Sequence, residues 1–285
     1  MAATTTVASA TRPAPPRRRR KSPLAWTREH IVSLAAAAAF LYIMLPNIVV
    51  IVFSFNLPNG RYNYAWTRFS LNAWLHPCAD PAMCQALGLS LKIGVAATVI
   101  ATALGTLVAF ALARHRFRGR AMTNLLIFMP MATPEVVMGS SLLTLFVNLR
   151  LALGATTILI AHIMFCLSFV VVTVKARVQS LDPRLEQAAM DLYANETQTF
   201  WRVTLPLVAP GIAAAALLSF SLSFDDYIIT NFNSSPSSVT FPMYVWGAAQ
   251  RGTPVQINVI GTLMFIIAIG AVAVGQLVGR RRRGA

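Results

Sequence analysis

This 285-residue chain is 56% hydrophobic and only 12% charged, with a mean hydropathy of +0.62. That excludes an ordinary soluble domain, whose charged share is about a quarter, and identifies an all-α polytopic membrane protein. The net charge of +15 is read as a topology signal before any nucleic-acid role, because the Lys and Arg residues lie in clusters between apolar runs.

Residues 1–29, rich in Ala, Thr, Pro and Arg, lack the apolar content to pack and are expected to form a disordered basic cytoplasmic tail. Residues 30–285 then form the membrane domain. Six runs reach the about 20 residues that a spanning helix needs: roughly 31–53, 87–113, 122–149, 152–174, 207–230 and 256–279. An even number places both termini on one side. If that side is cytoplasmic it holds nineteen of the 24 Lys and Arg residues, including Arg17 to Arg20, Arg114 to Arg120 and Arg280 to Arg283, as the positive-inside rule demands. Juxtamembrane arginines of this kind ordinarily meet anionic lipid, so a nucleic-acid partner is not expected.

The loop 54–86 falls outside, with Tyr62, Tyr64, Trp66 and Trp74 suited to the interface. It holds Cys78 and Cys84, which on an oxidising face form either a small disulfide or two separate thiols. Nothing in the spacing proposes a metal. In the second span Gly94, Thr98, Ala101 and Gly105 recur three or four apart, which lets helices approach closely.

The third span carries Pro130, Pro134 and Glu135 near mid-membrane. Proline opens the backbone where it lines protein or water. Glu135 is therefore a pathway candidate, its alternative being a protonated acid bonded to a neighbouring helix. His162 in the fourth span reads as a satisfied packing residue.

Between the fourth and fifth spans lies an island of mixed charge, the loop 182–206. Glu186, Asp191, Glu196 and Arg202 cannot rest in hydrocarbon, so the island projects from the membrane. Leu185, Ala188, Ala189 and Leu192 share one helical stripe. Asp182-Pro183 supplies a start, and a second short helix from Glu196 to Val203 is expected to end before Leu205-Pro206. The fifth span then carries Ser219, Ser223, Asp226 and Thr230 at i, i+4, i+7 and i+11, one polar stripe expected to face a cavity. Asp226 is assigned to the pathway. Asp225, about 100° away, is assigned to its shoulder or to a pair with another helix, and Tyr227 follows. The alternative is a helix-end cap before the loop at Asn231. Gly261, Gly270, Gly275 and Gly279 of the sixth span serve close packing.

Gln187-Ala188-Ala189, three residues, Tyr193, nine residues, Val203, one residue and Leu205-Pro206 resembles the EAA loop of permease subunits of binding-protein-dependent ABC importers. The resemblance implies that Glu186, Gln187, Ala188, Ala189, Asp191, Tyr193, Ala194, Arg202, Leu205 and Pro206 belong to coupling helices that dock on a separate ATPase. The usual Glu is Gln187 here, the usual Gly is Tyr193 and the usual Ile is Val203, so Asn195 is expected to take the turn. Leu217 to Tyr227 and Phe241 to Tyr244 look like the spermidine/putrescine subgroup. That implies a bacterial inner-membrane protein with a second permease subunit, a cytoplasmic ATPase pair that binds the ATP and Mg, and an external polyamine-binding protein.

No G-x-x-x-x-G-K-S/T, H-E-x-x-H or G-x-S-x-G pattern occurs in the chain. An enzyme is not expected, and this chain is assigned no cofactor. Acids within spans suit a cationic cargo. Three rivals stand: a proton-coupled secondary transporter, a non-transporting assembly subunit, and a permease for iron, sulfate or a sugar.

Overall fold

The core forms where apolar helices carry small residues on facing sides. The computed structural model describes residues 23–281, and within them the chain order is α1 (Pro23–Phe53), α2 (Asn72–Leu75), α3 (Pro81–Arg114), α4 (Arg120–Ala132), α5 (Glu135–Asn148), α6 (Ala155–Gln179), α7 (Arg184–Asp191), α8 (Glu196–Thr199), a π turn (Phe200–Thr204), α9 (Leu205–Asp225), α10 (Ile228–Asn233), α11 (Phe241–Arg251) and α12 (Val255–Arg281). Among the described residues the only β pairing is an isolated bridge between Asn56 and Phe69.

Helices α3, α6 and α9 pack on one another. They bury Ala101, Ala109 and Leu112 against Phe165, Val170, Val174, Val208 and Ala215. A Cβ built at Gly105 would lie 2.6 Å from Cγ1 of Val170, so α3 and α6 meet at a distance that only glycine allows. Gly211 serves α9 in the same way, lying under the Arg177 stem, and the Arg177 guanidinium donates from Nε and Nη2 to the Leu207 carbonyl at 3.2 and 2.9 Å. Helix α10 packs on α5, and α1 packs on α12.

On length and composition α1 from His30, α3, α6 and the continuous helix Glu196–Asp225 can each cross a bilayer, and α4 with α5 makes a fifth span if the pair is counted as one. Six spans are expected from the sequence. The sixth corresponds to α12, which has 27 residues and whose described apolar part is Val255–Gly270. Residues 23–29, expected as part of a disordered tail, are instead the first turns of α1. Residues 1–22 of that tail, with Arg282 and Arg283, lie outside the described residues. The third span is broken, because α4 and α5 diverge by 108°. Pro134 has no N–H and disfavours a helical Thr133, which is extended at φ −82°, ψ 131°.

Between α1 and α3 the chain folds around buried Asn56. Its amide nitrogen donates to Asn63 Oδ1 at 2.7 Å and to the Ala65 carbonyl at 2.8 Å, and its own Oδ1 accepts from the Thr67 N–H at 2.9 Å. Tyr62 stacks on Tyr64 and Phe55 on Trp74. Cys78 and Cys84 are joined in a disulfide with a Cα–Cα distance of 5.6 Å. Asp80 inside that loop caps α3 by accepting from the Ala82 N–H at 2.9 Å, and it also accepts the Tyr244 hydroxyl of α11.

Candidate functional site

Two places combine exposed chemistry with a fixed geometry. The first is the knob formed by α7, α8 and the π turn, at the end of the core where α3 finishes. Asp182 Oδ1 accepts from the Arg184 N–H at 2.9 Å, with Pro183 at the cap position rather than the first helical one. The turn between α7 and α8 is made by Tyr193 at φ +63°, not by Asn195. Asn195 is extended at φ −76°, ψ 168° and forms a capping box: its Oδ1 accepts from the Gln198 N–H at 2.8 Å, and Gln198 Oε1 accepts from the Asn195 N–H at 3.2 Å. Helix α8 does not stop before Leu205-Pro206. It runs through the π turn into α9 as one helix, Glu196–Asp225. Pro206 cannot donate to the preceding turn, and the wider π turn, in which the Leu205 N–H reaches the Phe200 carbonyl, lets the helix pass it.

Among the described residues nothing covers the apolar side of this knob. Leu185, Gln187, Ala188, Asp191, Arg202 and Pro206 are exposed, Ala189, Ala194 and Leu205 half-buried, and Leu192 and Tyr193 stand 82% and 99% exposed. Glu186 differs. Its Oε1 accepts from Arg114 Nη2 at 2.6 Å and from the Thr204 hydroxyl at 2.7 Å, which ties α7 to the end of α3 and to the foot of α9.

The second place is a cleft of about 670 Å³ at the opposite end of α9. Glu135, Asp225 and Asp226 supply its acids, and Phe224, Tyr227 and Trp246 are among its aromatic walls. Tyr227 and Trp246 pack with ring centroids 5.3 Å apart. Among the described residues no Lys, Arg or His lines this cleft. Glu135, at the first turn of α5 just past the proline break, is exposed, as is Asp225.

Both aspartates reach the cleft, but they differ in exposure and in their partners. Helix α9 ends at Asp225, and Asp226 is an extended C-cap at φ −64°, ψ 126°, so the polar stripe does not continue along one helix to Thr230. Its members turn inward. Ser219 and Thr230 are fully buried and Asp226 is 8% exposed. Asp226 Oδ2 accepts from the Thr230 N–H and hydroxyl, both at 2.7 Å, and lies 3.3 Å from His162 Nε2. Ser219, Ser223 and Thr230 face inward towards helix α6 or the α10 junction rather than a cavity, Asp226 alone of the stripe reaches the cleft lining, and Asp225 is the acid turned outward. Asp226 accepts from the Thr230 N–H and so caps the start of α10, which itself contains Asn231, rather than a helix end before the loop at Asn231.

His162 and Arg114 are the residues whose partners sequence reasoning missed. A signal existed for the first. An aspartate inside an apolar run needs a polar neighbour, and His162 is the one basic side chain among the buried residues of α6. For Arg114, one arginine among several in a basic turn, the sequence carried none.

Residues 101–281 match the family described as Binding-protein-dependent transport system inner membrane component. The chain is 36% identical over 243 residues to the spermidine/putrescine transport system permease protein PotC of Escherichia coli (strain K12), covering 85% of this chain and 91% of that one. It is 38% identical over 251 residues to the putrescine transport system permease protein PotI of the same organism, covering 86% of each. Among solved structures, a chain of a bacterial ABC transporter that imports the acidic polysaccharide alginate superimposes with a TM-score of 0.64 at 18% identity, over 91% of this chain and 98% of that one. A chain of an amino acid ABC transporter gives 0.57 at 15% identity, over 75% and 100%. The exposed helical knob, the broken third span and the helices packed around α3, α6 and α9 are thus those of a permease subunit, and the chain belongs to the inner-membrane components of binding-protein-dependent ABC importers.

Proposed function

We propose that this chain forms half of the membrane pathway for a small polyamine such as putrescine or spermidine, driven by ATP hydrolysis in a separate ATPase pair. The observation that carries the cargo is the cleft. Its exposed acids, Glu135 and Asp225, stand among aromatic rings, with no basic residue on its lining among the described residues. Carboxylates attract ammonium groups, and aromatic faces favour cations and cover the methylene chain between them. The names of the similar permeases point the same way.

The energy comes from outside the chain. The uncovered apolar face around Leu192 and Tyr193 fits a groove on an ATPase subunit, which holds the ATP and Mg. A second permease subunit completes the pathway, and an external binding protein delivers the cargo. The arginine-rich knob end is cytoplasmic by the positive-inside rule, which leaves the cleft towards the outer face and both termini inside.

The test is ATP-dependent uptake of labelled putrescine by proteoliposomes holding the whole importer with its binding protein. Asp225→Asn with Glu135→Gln is expected to cut uptake at low cargo concentration by about tenfold or more, the scale of losing a charge-assisted contact. Undiminished uptake removes the cleft from the pathway. Uptake by this chain alone under an ion gradient would select the proton-coupled reading instead.

A further inference from the structure

Among the described residues His162 is the buried histidine, 1% exposed in the middle of α6. An imidazole in that setting must have its nitrogens satisfied, and three polar groups from one neighbouring stretch satisfy them. Nδ1 lies 2.7 Å from Ser223 Oγ on α9, and Nε2 lies 2.9 Å from Thr230 Oγ1 on α10 and 3.3 Å from Asp226 Oδ2 at the junction. The Thr230 hydroxyl donates to Asp226, so its oxygen is left to accept from Nε2–H. The imidazole therefore acts as a donor on the side that faces the carboxylate.

These contacts fix two degrees of freedom. Ser223 held against α6 sets the rotation of α9 about its axis. Asp225, two residues on and so about 200° further round, is thereby turned to the opposite face, where it is exposed at the cleft. Asp226 and Thr230 held against the same imidazole set the turn into α10, and with it the place of Tyr227 against Trp246.

We propose that His162 is a positioning residue of the cleft: from behind the wall it holds Ser223, Asp226 and Thr230 together and so aims Asp225 and Tyr227 at a bound organic dication. This rests on the reading of the cleft as the cation's passage. His162 itself lines no part of the cleft.

The experiment uses the assembled importer, with putrescine as the probe and with Asp225→Asn as the reference that tests the cleft reading by itself. His162→Gln is expected to raise the KM for putrescine about tenfold, the size of one lost charged contact, with little change in maximal rate or basal ATP hydrolysis. In the Asp225→Asn background the same substitution should add clearly less than tenfold, because the part of its effect that acts through Asp225 is already lost and only the part through Tyr227 is left. A second measurement needs no transport. In detergent, Asp225→Cys reacts with a cationic thiosulfonate reagent, and adding His162→Gln is expected to slow that reaction severalfold. The remaining free thiol, Cys166, is buried.

If Asp225→Asn leaves KM unchanged, the cleft reading fails. If Asp225→Asn raises KM while His162→Gln alters neither KM nor thiol labelling, or lowers only the maximal rate, the positioning role is overturned and the histidine is merely structural. Should the histidine variants not assemble, Ser223→Ala and Thr230→Val weaken the same junction and are judged by the same two measurements.

Discussion

Replacing Glu186 by alanine should loosen α7 from the core without removing the surface by which the knob would meet a partner. Glu186 Oε1 holds Arg114 Nη2 at 2.6 Å and the Thr204 hydroxyl at 2.7 Å, and the side chains of the ion pair are 28% and 23% exposed. Hydrogen bonds to a charged group are worth ~1.5 to 3 kcal/mol when shielded, and exposed pairs ~0 to 1 kcal/mol. A quarter-exposed pair with a hydroxyl added falls at about 1 to 2 kcal/mol, a factor of about 5 to 30 in the equilibrium between attached and detached α7. In the reconstituted importer, Glu186→Ala should therefore lower cargo moved per ATP hydrolysed severalfold, while the ATPase subunits still co-purify. Arg114→Ala should do nearly the same, and the double variant little more than either alone. Glu186→Gln, which keeps an acceptor for Thr204, should fall between. Unchanged coupling in Glu186→Ala, or fully additive losses in the double variant, would show that this carboxylate transmits nothing.

Three further outcomes follow from particular geometries. Tyr193 is left-handed at φ +63°, which costs a non-glycine residue ~1 to 2 kcal/mol, against ~0.5 to 1 kcal/mol for the extra chain entropy of glycine. Tyr193→Gly should raise hydrogen-exchange protection across α7 and α8 about two- to fivefold, and unchanged protection would mean that the turn is not strained. Gly105→Ala would set a Cβ 2.6 Å from the buried Val170. That overpacking should cost ~1 to 3 kcal/mol, read as a lower melting temperature of the purified complex. Burial first, and then the hydrogen bond to Asp80, push Tyr244 up from 10.0 to about 12. Because the neutral phenol is the favoured form, its contribution is complete below pH 10.0 and fades as pH rises towards about 12. Tyrosinate absorbance should show one late-titrating group that Tyr244→Phe removes.

Much of this architecture can be read from residue order, because the relevant signals are local. Apolar run lengths locate the helices, small residues three and four apart locate the face of α3 that meets its neighbours, and two prolines four residues apart locate the 108° break. The knob is legible in the same way, from charges that hydrocarbon forbids. What could not be read depends on neighbours. Periodicity states that Ser219 and Ser223 share a face, but whether that face looks at a cavity or at α6 depends on packing. Extending the same helix past Asp225 overlooks the break there that turns the Asp226 carboxylate towards His162. Leu205-Pro206 looks like a helix end because proline usually is one, and only the extra residue of a π turn lets the helix continue. Tyr193 at a left-handed turn contradicts local preference outright, and Asn195, the residue that suits it, is occupied as a cap.

One consequence concerns how a push at the knob reaches the cleft. From Glu196 to Asp225 the chain is a single helix of 30 residues, about 44 Å long, clamped to α3 through Glu186 at one end and to α6 through His162 at the other. Arg177 adds a grip near its foot by donating to the Leu207 carbonyl, and the glycine contact at Val170 locks α3 to α6. Interdigitated helices of this kind resist sliding, so α3, α6 and α9 should move as one body. The shear between conformational states then falls at the edges of that body, towards α1 and α12 and towards the proposed second permease. A disulfide within the body should be harmless. Ser219→Cys offers one, since the native Cys166 sulfur already lies 3.4 Å from the Ser219 carbonyl. Oxidising that variant should leave ATP-driven uptake near the reduced level, and reversible loss on oxidation would mean that α6 and α9 slide past each other in every cycle.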